Sequence, residues 1–317
     1  MVTYSEFSFF SSGGYGQIHV NQWVPSDGAL RGVIQIVHGA SEYGFRYDEF
    51  ARYLCGCGFA VLANDHLGHG KSAYPSGCPV YFGRKQGWWH VIADMETLHQ
   101  RIERKFPHLP IILFAHSMGS FLARTHMIMH PGAYSAYILS GTGHPSQVVI
   151  RSGKRAAAIR MKKIGPSGVS PFIDQMTFGS FNQNFAPNRT PFDWIAASEK
   201  AVDSYIADSL CGRPMTVGLF RDMIEGLSYI TQPENIRLMD RNSPIFLIAG
   251  EQDPVGNMGK DIFKIRAIFT SVGMQDVCMN LYPGLRHDIL HEACHPQVYH
   301  DIYSWLSHRS AIFHNST

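Results

Sequence analysis

The 317-residue sequence has no run of about 18 apolar residues, so nothing in it predicts a membrane-spanning helix. Its amino end, Met1 to Phe10, has no basic segment leading into an apolar stretch, so no secretory signal is expected. A dominant charge is also missing. Lys and Arg number 27 and Asp and Glu 25, and a balance of +2 gives no reason to expect a nucleic-acid partner. Cysteines stand at 55, 57, 78, 211, 278 and 294 without a C-x-x-C pair, which argues against a zinc ribbon or a thioredoxin-like motif. Scattered thiols in a chain of this length read as small buried hydrophobes rather than disulfides. There is no internal repeat and no low-complexity tract. A cytoplasmic location is the expectation, with peripheral membrane contact left open.

What is present is ordinary globular material, 45% hydrophobic and 16% charged, enough for a large core. Short apolar runs recur at Val33–Val37, Phe59–Ala63, Ile111–Ala115, Tyr137–Leu139 and Ile245–Ala249. Runs without alternation suit parallel strands buried on both faces. Between them, Val91, Met95, Leu98 and Ile102 repeat at helical spacing, and Phe106-Pro107 closes that helix. The fold class predicted is α/β, a mostly parallel twisted sheet flanked by helices. Phe7–Phe10 and Ile18–Trp23 read as antiparallel strands at one edge. From His144 to about Asp240 the strand rhythm stops, and aromatic residues and helical patterns take over. The organisation expected is a core of residues 1–143 and 242–317 with a mainly helical cap at 144–241.

The strongest local signal is Ala115-His116-Ser117-Met118-Gly119, between the apolar run ending at Ala115 and a helical pattern at Phe121, Leu122, Thr125 and Met129. A sharp strand–turn–helix connection lifts a serine hydroxyl out of a sheet, and the close backbone approach demands small residues on either side. Ala115 stands where this motif usually has Gly, and a methyl is a small intrusion. The plain alternative is a helix-capping serine. A serine nucleophile needs a histidine to take its proton and an acid to hold that histidine. In this fold the chain order is Ser, acid, His. Asp253 follows the run Ile245–Ala249, and His287 follows Val277–Leu281, both in loops at carboxyl ends of strands. Glu251 and His291 are their nearest competitors. For the oxyanion, the amide of Met118 and that of Ala40, in the loop His38-Gly39-Ala40-Ser41-Glu42, are the candidate donors.

Together these segments resemble the monoglyceride lipase and lysophospholipase family of α/β hydrolases, also labelled serine aminopeptidase-like. The likeness includes Arg46-Tyr47 after the oxyanion loop, Asp65-His66-Leu67-Gly68-His69-Gly70-Lys71-Ser72, the elbow, and Gly250, Asp253, Gly284 and His287. It covers roughly residues 30–143 and 243–292. Tyr43 departs from the His that mammalian members carry after the Glu, and the cap is weakly matched. The resemblance implies the α/β-hydrolase fold and cofactor-free hydrolysis of a single-chain acyl ester such as monoacylglycerol or lysophospholipid.

His38, Gly39 and His116 beside the elbow, and Phe178, Phe181 and Trp194 in the cap, are the candidate substrate-binding residues. The cap aromatics could cover an acyl chain or simply pack the cap onto the core. A peptidase, amidase or acyltransferase could use the same triad, and the acids Asp174, Asp193, Glu199, Asp203, Asp208 and Glu225 keep an amine-recognising cap open. A catalytically silent binding protein on this scaffold is the alternative of another class. Arg151, Lys154, Arg155, Arg160, Lys162 and Lys163 gather in 151–163 with no acid among them. They form either a solvated helical face or a surface for anionic lipid. His38, His66 and His69 lack the carboxylate spacing of a metalloenzyme motif, so no metal site is expected from them. Trp88-Trp89 reads as core with partial exposure.

Overall fold

The computed structural model describes residues 1–14, 16–73 and 80–309. Its single sheet has eight strands: β1 (Val2–Phe10), β2 (Gln17–Pro25), β3 (Gly32–Val37), β4 (Phe59–Asn64), β5 (Ile111–His116), β6 (Ala136–Ser140), β7 (Ile245–Gly250) and β8 (Val277–Tyr282). They lie in the order β1-β2-β4-β3-β5-β6-β7-β8. The first two strands are the antiparallel edge that the sequence suggests. From β4 to β8 every neighbouring pair is parallel.

The parallel strands read as continuous apolar runs because both of their faces are covered. Along β5, Ile111, Leu113 and Ala115 enter one core while Ile112 and Phe114 enter the other. This is the two-residue alternation of a strand whose faces are both buried. Helix α1 (Asp48–Gly56) supplies Phe50 and Leu54 to the second core. Helices α2 (Gly87–Lys105) and α3 (Met118–Met129) serve the first, with Val91, Met95, Leu98 and Ile102 forming the buried stripe of α2. Trp88 is fully buried, and its neighbour Trp89 is half-buried.

Between β6 and β7 lie α4 (Gln147–Ile164), α5 (Pro171–Asp174), α6 (Ser180–Asn182), α7 (Glu199–Ala207), α8 (Val217–Ile230) and α9 (Pro233–Ile236). The chain then closes with α10 (Lys260–Ser271) over the first core and α11 (His295–Ser307) over the second. The insertion is not one separate body. Leu219, Phe220, Ile224 and Leu227 of α8, and Ile150 and Ala157 of α4, join the core built by α2 and α3. A distinct small cluster forms only around Trp194, Ile195, Val202, Tyr205 and Cys211. Helix α8 packs against α2 and α3, and α4 packs in turn on α8, so both add apolar residues to the core under the first face of the sheet.

Arg124 of α3 ties the insertion down at both ends. The guanidinium is fully buried and donates to the Gly143 carbonyl at 2.8 Å and the Ile230 carbonyl at 3.4 Å. Such a buried cation is tolerated because acceptors meet both terminal nitrogens, while Nε has no partner among the described residues. The thiols of Cys55 and Cys211 are buried and those of Cys57, Cys278 and Cys294 are also free. Cys78 and residues 310–317 of the expected core lie outside the described residues. No helix among the described residues is long and apolar enough to cross a membrane.

Candidate active site

The carboxyl ends of β3, β5, β7 and β8 point to one edge of the sheet, and their loops deliver His38 to Ala40, Ser117, Asp253 and His287 to one place. In parallel sheets this edge is where functional groups gather, at the point where strand order reverses. Here the reversal falls at β3, which pairs with β4 on one side and β5 on the other.

Ser117 adopts φ 54° and ψ −124°, a conformation that a residue with a Cβ rarely takes. Its N–H donates to the Ser140 carbonyl at 2.9 Å, and its carbonyl accepts from the Ser120 amide at 2.8 Å. These bonds hold the turn against strain of about 1–3 kcal/mol. Two glycines make the turn sterically feasible. A Cβ on Gly119 would sit 2.2 Å from the Val37 carbonyl oxygen, and one on Gly39 would sit 3.0 Å from Ser117 Cβ. Ala115, fully buried in β5 beside Val37 and Leu139, is accommodated.

His287 Nδ1 lies 2.9 Å from Asp253 Oδ1, and both side chains are buried. The same carboxylate oxygen accepts the Val255 amide, which fixes its orientation. Burial by itself lowers the pKa of His287. The charge of Asp253, the hydrogen bond to it and the charges of Asp288 and Glu42 outweigh burial and raise it above the usual value near 6.5. The opposite ring nitrogen, Nε2, is buried and has no partner among the described residues. No hydrogen bond joins it to Ser117, although both residues line the same cleft. Catalytic hydrogen bonds in unliganded sites are commonly long and tighten with substrate. The competing residues point elsewhere: Glu251 is exposed, and His291 is held by Asp288 and the Arg46 carbonyl.

The amides of Ala40 and Met118 have no acceptor among the described residues. Met118 opens α3, where backbone N–H groups lack intrahelical partners. The oxyanion loop is braced from beneath by Glu42, a residue whose role the sequence does not reveal. Its carboxylate accepts the Gly39 amide and the Tyr47 hydroxyl, and it pairs with Arg46 at 2.9 Å. Arg46 also pairs with Asp288, 242 residues away in sequence. From above, the loop is fastened to the cap. The Ser41 carbonyl accepts the Gly212 amide at 3.0 Å and the Tyr205 hydroxyl at 3.2 Å, and the Tyr43 hydroxyl donates to Asp208 at 2.8 Å. Tyr43, the departure from the mammalian pattern, thus bonds to the cap.

The cleft over these groups has a volume of about 420 Å³ and is lined by Gly39, His116, Phe178 and Trp194 among others. Trp194 stacks on Phe178 with ring centroids 5.6 Å apart and lies 5.1 Å from the His287 ring. Two candidates for substrate contact fall outside the cleft wall. His38 is fully buried beneath it, with Nδ1 2.7 Å from the Gly39 carbonyl and Nε2 accepting the His66 amide. Phe181 packs behind Trp194 at 5.3 Å. The His38 ring also packs against that of His66, centroids 4.0 Å apart and tilted by 38°, and burial holds both well below the usual imidazole pKa, with His69 pushed down to about 4. These neutral rings pack the loop.

A family model described as serine aminopeptidase, S33, matches residues 28–293. A monoacylglycerol lipase of Mycolicibacterium smegmatis is 27% identical over 96% of this chain and 97% of its own length. A monoglyceride lipase of Mus musculus is 27% identical over 91% of this chain and 86% of its own. Among solved structures, a thermostable carboxyl esterase from Bacillus coagulans, in complex with glycerol, superposes with a TM-score of 0.88 at 27% identity, covering 96% of this chain and 98% of that one. The chain therefore belongs to the serine aminopeptidase S33 family and is an esterase- and lipase-like α/β hydrolase.

Proposed function

We propose that the protein hydrolyses carboxylic esters of single-chain lipids, of monoacylglycerol or lysophospholipid type, through an acyl-enzyme on Ser117. The observation that carries this reading is the buried Asp253–His287 pair beside Ser117 at the foot of a cleft walled by Trp194 and Phe178. The similarity to monoacylglycerol lipases over nearly the whole chain supports the substrate class. In this mechanism His287 Nε2 takes the Ser117 proton as Oγ bonds to the ester carbonyl carbon. The resulting oxyanion is held by the Ala40 and Met118 amides. Collapse breaks the carbon–alcohol bond, and His287 returns the proton to the leaving alcohol. Water then repeats the attack and frees the acid and Ser117. Asp253 keeps the imidazole in place and stabilises its charged form.

An aminopeptidase would need a free carboxylate in the cap to hold the substrate amine. Of the six acids considered, Asp174 alone lines the cleft. Asp193 is engaged by Thr190, Asp203 by Arg189 and Asp208 by Tyr43, so an amine-recognising cap would have to rely on Asp174. The cap also presents α4, where Val148, Val149, Ile159 and Ile164 are exposed beside the exposed Arg151, Lys154, Arg155, Lys162 and Lys163, with Arg160 half-buried over Phe172. We read this face as a peripheral contact with anionic lipid, from which an acyl ester would be drawn.

Ester turnover across a panel of acyl lengths, with monoacylglycerol and lysophospholipid included, is expected to peak on medium or long chains. It should fall on the order of 10⁶-fold in Ser117→Ala. A folded wild-type protein with no ester turnover contradicts the reading. The raised pKa of His287 sets the sign of the pH response, because only the neutral ring accepts a proton. The kcat/KM profile should fall towards acid with a midpoint above about 6.5, and a midpoint near 4 would point to another base. Flotation with vesicles should recover more protein on anionic than on neutral lipid. Equal recovery would remove α4 as a lipid contact.

A further inference from the structure

Away from the cleft, α2 and α3 bring together three side chains that the proposed reaction does not use. Glu96 of α2, His126 of α3 and His130 at the carboxyl end of α3 place one donor atom each within 4.8 Å of the others. They are the one His, Cys, Asp and Glu group of this spacing among the described residues. Glu96 Oε2 lies 2.8 Å from His126 Nε2 and 3.8 Å from His130 Nδ1. His126 and His130 are one turn apart, and their rings stack with centroids 4.6 Å apart and an interplanar angle of 27°. The arrangement is braced. Gln100 donates to the other Glu96 oxygen at 2.9 Å, and Trp88 of α2 donates to Thr125 of α3 at 3.1 Å.

An ion pair between Glu96 and His126 explains one of these contacts but not the third group. His130 Nδ1, 3.8 Å from the same carboxylate oxygen, makes no hydrogen bond to it. A cation held between the three groups would join all of them. For metal–ligand bonds of about 2.0–2.1 Å, the donors of a tetrahedral site are about 3.3–3.4 Å apart. The separations of 2.8 and 3.8 Å bracket that value. The carboxyl end of α3 also carries the negative end of its helix dipole, which favours a cation there. Access is provided by His130, whose side chain is 35% exposed, and by Glu96, at 19%.

We propose that Glu96, His126 and His130 form a binding site for a late first-row divalent cation, with Zn²⁺ as its reference ligand. Two imidazoles and one carboxylate suit Zn²⁺, Co²⁺ or Ni²⁺ and disfavour Mg²⁺ or Ca²⁺, which take oxygen ligands. Three protein ligands leave the fourth position to water, so the site is open. Ligation through Nε2 selects the Nδ1–H form of His126, whose Nδ1 is at present unpartnered. The cation would clip α3 to α2 at the end opposite the elbow. His126 is eight residues beyond Met118, roughly 12 Å along the helix.

The test uses the intact protein after treatment with chelator. Zn²⁺ is titrated by calorimetry and Co²⁺ by visible absorption, in wild type, His130→Ala and Glu96→Gln. Glu96→Gln keeps an acceptor for His126 and so spares the local packing. The expected result is one Zn²⁺ per chain, Co²⁺ ligand-field bands in the wild type, and no competing heat from Mg²⁺. Each variant should lose affinity roughly 10- to 100-fold or more, with its chelator-treated melting temperature near that of the wild type. Zn²⁺ bound equally well by the wild type and both variants would place the ion elsewhere and overturn the proposal. Absence of both Zn²⁺ heat and Co²⁺ bands in a folded wild type would reduce the cluster to an ion pair.

Discussion

The candidate site depends on how closely two backbones meet where β3 ends and α3 begins. Gly119 presses against the Val37 and His38 carbonyls at a distance that any side chain would violate. That contact lets α3 start directly under the oxyanion loop, and it forces Ser117 into its positive-φ turn. The strain of the turn is held by β5 and β6, whose ladder continues through the Ser117–Ser140 hydrogen bond. The free Met118 amide at the start of α3 and the placement of Ser117 in the cleft wall are therefore two consequences of one packing constraint.

Around this contact the protein builds two supports of different chemistry. Beneath the oxyanion loop, Glu42, Arg46 and Asp288 form a buried charge network, and Arg46 is shared between the two carboxylates. Breaking such a network from one side is costly because it strands a buried charge. Above it, hydrogen bonds made by Tyr205, Gly212 and Tyr43 join the loop to the cap. Asp288 follows His287 directly, so the network also touches the base. Any displacement of the cap at 205–213 would pull on the segment that carries the Ala40 amide.

Much of this was legible in the sequence where the signal is local. The run Ile111–Ala115, then Ser117, then the Phe121–Met129 pattern encodes strand, turn and helix within twenty residues, and the order Ser117, Asp253, His287 follows from strand rhythm. Long-range pairing was not legible. The Arg46–Asp288 and Tyr43–Asp208 contacts join residues that no periodicity links. The place of His38 at the end of a strand is visible in the sequence and its ring direction is not; the ring turns down onto His66. Likewise, aromatic content in the cap does not say which rings face the cleft and which, like Phe181, pack on Trp194. The helical pattern of the insertion is visible in the sequence, whereas the packing of α8, and of α4 on it, into the main core is not. The i,i+4 pair His126 and His130 gains meaning only when Glu96 arrives from another helix.

The central claim is that Ser117 is the activated nucleophile of this fold. The most direct measurement is covalent labelling of the intact protein with a fluorophosphonate, followed by peptide mapping. The account requires a single adduct on the peptide containing Ser117, absent from Ser117→Ala and strongly slowed in His287→Ala. A folded protein that takes no label, or that carries it on another residue, would contradict it.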